Sequence, residues 1–252
     1  MTKSLATLAL ALALGTTTAS ADTTKPTIVL CHGAFADGAS WDKVIPLLEA
    51  KGYAVVAIHE PLSSLADDVA VAKRAIAQQP GDVILVGHSY GGMIITDAGN
   101  DPKVKALVYV AAFAVDANET IADLGKGQPA PPWQAQLKVD SAGFATLPAD
   151  AIAKYFAPDL TAAEIKLVAA TQGPLSTTAF NAKIATPAWK TKPSWYVRAE
   201  NDQMLDPAGQ AMMAKRANAT VTSVKASHVV MLSHPADVAK VILAAATAPA
   251  KK

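Results

Sequence analysis

One cysteine, Cys31, stands in 252 residues. That excludes an intramolecular disulfide in any compartment, and with it a CxxC redox motif or a cysteine-rich zinc site. Its place at the end of the apolar run Thr27-Ile28-Val29-Leu30 points to a buried, unreactive thiol. Charge is also scarce, at 17% of residues against 51% apolar, which excludes disorder and leaves ample material for one core. Neither H-E-x-x-H nor G-x-x-x-x-G-K occurs, so zinc and P-loop chemistry find no support and no metal or cofactor is expected. Lys and Arg number 22 and Asp and Glu 21. This balance lacks the cationic footprint that nucleic acid or an anionic membrane surface would demand.

Long hydrophobic runs are missing as well. The run Leu5–Leu14 is too short to cross about 30 Å of hydrocarbon. It follows Lys3 and precedes Ala19-Ser20-Ala21, the layout of a cleavable secretory signal over residues 1–21. The expectation is a mature domain from Asp22 to Lys252, periplasmic or secreted, without membrane insertion.

Short apolar and β-branched runs recur at Thr27–Cys31, Ala54–Ile58, Val83–Gly87, Ala106–Val110, Ser194–Val197 and Thr220–Val224. Helical patterns lie between most of them. This alternation predicts an α/β fold with a mainly parallel sheet of about six strands flanked by helices. Trp41–Lys51 is punctuated by Gly52, Leu65–Gln79 by Pro80-Gly81, and Asp206-Pro207 reads as a cap opening a helix to Arg216. A last helix is expected from Pro235 to about Ala246. From about residue 115 to 192 the pattern turns Pro-rich and then helical, with Thr161 and Glu164 spaced as a capping box; an inserted helical cap is expected there.

The strongest chemical signal is Gly87-His88-Ser89-Tyr90-Gly91-Gly92, preceded by the strand pattern Val83–Val86 and followed by the helical pattern Met93–Ala98. This is G-x-S-x-G in its required strand-turn-helix setting, which makes Ser89 the expected nucleophile and Gly87 and Gly91 the residues that permit the tight turn. A serine hydroxyl needs a base, and the base needs an orienting acid, which follow in this fold in the chain order serine, acid, histidine. Only His228 and His234 come after Ser89. His228 follows the last strand in a loop that can overhang the serine, whereas His234 precedes Pro235 at a helix start. The acid is Asp202, after the strand at residues 194–197, with Asp206 and Asp116 as alternatives. Oxyanion donors are expected from the backbone N–H of Tyr90 and of Ala34, the latter in a turn made possible by Gly33. His32 and His88, each beside a motif glycine, read as residues that orient backbone.

Together, His32-Gly33-Ala34-Phe35, Ser40-Trp41, Ile45-Pro46-Leu47-Leu48-Glu49, the stretch Val86–Gly92 and Ser227-His228 resemble the α/β-hydrolase superfamily, and within it bacterial relatives of the plant methyl esterase and hydroxynitrile lyase group. The resemblance implies Ser89, Asp202 and His228 as a triad and Ala34 and Tyr90 as oxyanion amides; the cap, rich in Ala, Pro, Leu, Phe and Trp133, suggests a mostly apolar pocket for a small or medium carboxylic ester. Three rivals remain: hydroxynitrile-lyase-like or C–C bond cleavage by the same triad, a small-molecule receptor on the same fold, and a structural or adhesive exported protein. Hydroxynitrile lyases of the group have threonine at the position of Gly33 and lysine at that of Val229, and both departures favour ester hydrolysis. A third departure is His59-Glu60-Pro61, where the esterases usually carry an aspartate after the second strand.

Overall fold

A computed structural model describes residues 25–249; the signal expectation at residues 1–21 lies outside them. The order of elements is β1 (Thr27–Cys31), α1 (Ile45–Glu49), β2 (Val55–Ala57), α2 (Leu65–Ala77), β3 (Val83–His88), α3 (Gly91–Ala98) and β4 (Val104–Val110). There follow α4 (Ile121–Leu124), β5 (Lys138–Val139), β6 (Phe144–Thr146), α5 (Ala149–Ala151), α6 (Ala162–Thr171) and β7 (Leu175–Ser176). The chain then returns through β8 (Ser194–Ala199), α7 (Pro207–Arg216), β9 (Thr220–Val224), α8 (Val230–Ser233) and α9 (Pro235–Thr247).

Six strands form one sheet in the order β2-β1-β3-β4-β8-β9, and every pairing in it is parallel. β1 and β3 are buried along their whole length, so their apolar runs are continuous rather than alternating, as a sheet covered on both faces requires. Each Val, Leu or Ile enclosed in this way contributes about 1.5–3 kcal/mol of transfer free energy. β9 closes one edge with Thr220, Val221, Thr222 and Ser223 exposed.

Chain direction reverses at the middle of the sheet. From β1 the chain moves outward to β2; from β3 it moves the other way to β4. Right-handed crossovers then put α1 on the face opposite α2 and α3. Contacts agree: α2 and α3 pack together against β1 and β3, while α1 packs on α9, which covers β3, β4 and β8. The reversal opens a crevice beyond the carboxyl ends of β1 and β3, the place where open α/β sheets bind ligands.

Two local readings change. The pattern at 41–51 is not one helix: Asp37 caps a short 3-10 helix, Gly38–Trp41, and α1 begins only at Ile45, with Pro46 in its first turn. The segment between β4 and β8 carries helices, including α6 with the Thr161–Glu164 capping box, but also an antiparallel sheet in the order β5-β6-β7. Those strands are two or three residues long, too short to leave a period in the sequence.

Candidate active site

The turn between β3 and α3 is built by exclusion. A Cβ on Gly87 would lie 2.5 Å from the Gly91 carbonyl oxygen, and one on Gly91 would lie 2.6 Å from that of His32. Only glycine lets these backbones meet. Between them Ser89 takes φ of 51°, a left-handed conformation costing of order 1–3 kcal/mol for a residue with a side chain. The backbone around it holds the strain: Ser89 N–H donates to Val110 O at 3.2 Å, and Gly92 N–H and Phe113 N–H donate to Ser89 O at 2.9 and 3.1 Å.

His228 and Asp202 come to Ser89 from the loops after β9 and β8. His228 Nε2 lies 2.8 Å from Ser89 Oγ, and Nδ1 lies 2.7 Å from Asp202 Oδ2. Asp202 Oδ1 accepts Met204 N–H and Leu205 N–H, while Oδ2 also accepts the Gln210 side-chain amide at 2.8 Å. A carboxylate so surrounded by donors can only accept, so Nδ1 carries the imidazole proton and Nε2 is left to accept from the serine hydroxyl. His88 donates from Nε2 to the His228 carbonyl at 3.0 Å. Burial, and then the neighbouring His228, hold the His88 pKa well below the usual imidazole value, so it acts as a neutral donor.

A profile described as the Alpha/beta hydrolase family matches residues 28–241. The chain belongs to that family. It is 27% identical to the alpha/beta hydrolase nvfD of Aspergillus novofumigatus over 88% of this chain and 97% of that protein. A 38% identical stretch shared with salicylic acid-binding protein 2 of Nicotiana tabacum covers 35% of this chain and 40% of that protein. Among solved structures, a pyrethroid hydrolase from Sphingobium faniae JZ-2 superposes with a TM-score of 0.77 at 26% identity, covering 91% of this chain and 100% of that one.

In this α/β hydrolase the alternative acids are occupied elsewhere. Asp206 caps α7 through Gly209 N–H at 3.0 Å, and Asp116 pairs with Lys190 at 2.6 Å on the surface. His234 bonds Ser233 Oγ at 3.0 Å at the start of α9. Cys31 is fully buried; burial first and the Glu60 carboxylate second push its thiol pKa well up, so it stays a thiol.

Two groups at the site, Gln210 and Asp159, escape a reading of the sequence. Gln210, fully buried on α7, joins Asp202 Oδ2 to Leu205 O and to Ala199 N–H. Asp159 reaches from the β4–β8 segment to Ser227, accepting its N–H at 2.8 Å and its Oγ–H at 2.5 Å, and so grips the residue before His228. Trp133 donates from its indole to Met204 O at 2.9 Å and meets Phe35 edge-on, ring centres 6.4 Å apart. Only the Pro-rich run around Trp133 leaves a visible signal. Phe156 stands edge-on to His228 with centres 5.3 Å apart and edge-on to His88 at 6.4 Å.

Proposed function

We propose that this α/β hydrolase is a serine esterase that cleaves small to medium carboxylic esters through an acyl-enzyme. The observation that carries the reading is the unbroken line from Asp202 Oδ2 through His228 to Ser89 Oγ, at 2.7 and 2.8 Å. The Ser89 hydroxyl proton passes to His228 Nε2 as Oγ attacks the ester carbonyl. Charge on the carbonyl oxygen is met by the Ala34 and Tyr90 backbone N–H groups. The imidazolium, held by Asp202, returns its proton to the leaving alcohol. Water then enters, gives a proton to Nε2 and attacks the acyl carbon. The tetrahedral oxyanion collapses and Ser89 Oγ departs, taking its proton back from His228.

Gly33 supports ester cleavage over cyanohydrin cleavage. A Cβ there would lie 2.8 Å from Ser89 Cβ and 2.9 Å from His88 Nδ1, so the threonine of the lyases has no room on this backbone. The rings of Phe35, Trp133 and Phe156 suit an apolar acyl or alcohol group. Export, periplasmic or secreted, belongs to the same proposal and rests on Lys3, the apolar run and Ala19-Ser20-Ala21; a mature N-terminus at Asp22 is its test. No described helix is long and apolar enough to cross a membrane.

Fluorophosphonate labelling with mass mapping tests the nucleophile, and a panel of chromogenic esters of graded acyl length tests the substrate class. Labelling at Ser89 and multiple turnover, both lost in Ser89→Ala, are the expected results. Binding without turnover, or cyanohydrin cleavage exceeding ester cleavage, would overturn the reading.

A further inference from the structure

Behind the candidate oxyanion turn lies a group of buried ionisable side chains with no part in the proton transfers. Glu60 follows β2 and is 6% exposed, Asp68 on α2 is 0% exposed, and His32 beyond β1 is 2% exposed. Burying charges costs several kcal/mol per ion, and apolar residues in such places often leave a protein as stable or more so. Such a cluster needs a reason.

Its hydrogen bonds converge on the two expected oxyanion donors. His32 Nδ1–H donates to Gly33 O at 2.9 Å, and a carbonyl can only accept, so Nδ1 carries a proton. On the far side of the ring, Nε2 accepts Glu60 N–H at 3.2 Å and lies 2.7 Å from Glu60 Oε2, so the main chain and the carboxylate of Glu60 both hold the imidazole. The Gly33 carbonyl belongs to the same planar trans peptide as the Ala34 N–H, and in a trans peptide the two point in opposite directions. Fixing the carbonyl on the imidazole therefore fixes the Ala34 N–H facing away from it. A hydrogen bond to the carbonyl also polarises the peptide and strengthens its N–H as a donor. Asp68 holds the other donor's residue: Tyr90 O–H donates to its Oδ2 at 2.8 Å, and Leu62 N–H to its Oδ1 at 2.8 Å.

We infer that Glu60 and Asp68, eight positions apart across the β2–α2 connection, are positioning residues for the two halves of the oxyanion site: Glu60 sets the Gly33–Ala34 peptide through His32, and Asp68 sets Tyr90 through its phenol. The inference rests on the esterase reading above. It also gives the departure at His59-Glu60-Pro61 a purpose. Burial would lower the His32 pKa, but the neighbouring Glu60 outweighs it and the pKa is raised.

The test uses the full-length protein and a trifluoromethyl ketone, which Ser89 converts into a hemiketal whose oxygen occupies the oxyanion site. Glu60→Gln removes the charge and keeps the shape; Asp68→Asn and Tyr90→Phe break the second brace from either side, and Tyr90→Phe leaves the backbone donor in place. Rates are expressed per fluorophosphonate-titrated site, so partial unfolding lowers the number of sites and not the rate. Each variant is expected to lose about ten-fold in kcat with KM within about two-fold, less than the 10²–10³ typical of deleting a donor outright. Ketone affinity is expected to fall by the same factor as kcat. If all the variants that fold keep kcat per site and ketone affinity within about two-fold of the parent, the inference is overturned. Failure of the parent itself to label at Ser89 overturns the esterase reading instead, and the inference with it.

Discussion

The side-chain amide of Gln210 lies 2.8 Å from Asp202 Oδ2, the same oxygen that faces the His228 Nδ1–H. The fully buried glutamine thus shares that oxygen with His228, while its own carbonyl is tied to Ala199 N–H at 3.0 Å. Replacing Gln210 with Met keeps the length and removes all three of its side-chain bonds, to Asp202 Oδ2, Leu205 O and Ala199 N–H. It leaves a buried N–H and a carboxylate oxygen short of partners, at about 1–3 kcal/mol. Chemical denaturation should show that loss, and kcat should fall in the same variant.

Asp202→Asn tests the tautomer argument. An amide beside Nδ1 can turn its NH₂ to the ring, leaving Nε2 with the proton and unable to accept from Ser89. Ester turnover is expected to drop by about 10³–10⁴-fold, following the handling of the equivalent change in other serine enzymes, with the fold retained by circular dichroism. A loss below about ten-fold would show that Asp202 does not orient the base.

Gly87→Ala places a methyl 2.5 Å from the Gly91 carbonyl oxygen and 2.7 Å from its carbon. Neither atom belongs to a flexible side chain, so the turn itself must shift. About 3 kcal/mol or more of stability should be lost, and fluorophosphonate labelling of Ser89 should disappear even at temperatures where the variant stays folded.

The main features of the fold are legible because they leave local marks. Glycines bracket the serine, Asp206-Pro207 opens α7, and unbroken apolar runs become strands buried on both faces. The order serine, acid, histidine, joined to the position of each loop after its strand, favours the three side chains that the sheet brings into one line, with Asp206 and Asp116 left open as acids until the fold is seen. What stays hidden depends on distant partners. Nothing near Gln210 marks it as the neighbour of Asp202, and Glu60 meets His32 only because β1 and β2 pair side by side. The strands between β4 and β8 are too brief for any alternation to show, and Pro46, which reads as part of one helix, sits in the first turn of a second.

Asp68 gives stability a pH dependence of known sign. Burial raises its pKa to about 6, against the lowering effect of its bonds from Tyr90 and Leu62 N–H; Glu60 nearby raises it further and His32 lowers it. The folded pKa thus exceeds the unfolded value of about 3.9. The favourable contribution is complete below about pH 3.9 and is lost as pH rises through about 6. Measured as the difference in Tm between the parent and Asp68→Asn, the parent should be relatively better at pH 4 than at pH 7. A difference that is flat with pH, or rises, would contradict the assignment.

Asp159→Asn addresses the grip on Ser227. Asp159 is largely exposed while Ser227 is buried, so the fold should tolerate the change with less than about 1 kcal/mol lost. The amide can still accept Ser227 N–H and donate to its Oγ, but it trades the charged acceptor for a neutral amide and so weakens both bonds holding the loop that bears His228. About a ten-fold fall in kcat/KM is the expected result, since a displacement of about 1 Å can cost 10²-fold.

Trp133 and Asp159 both arise between β4 and β8, yet each is fastened to a loop that carries Asp202 or His228: Trp133 to Met204 O, Asp159 to Ser227. A chimaera that exchanges residues 115–192 for the corresponding piece of a relative, in order to transplant its substrate range, would cut both fastenings at once. A donor piece must therefore bring an indole and a carboxylate at those two spots, and the pool of interchangeable pieces is set by these two residues before any question of substrate fit arises.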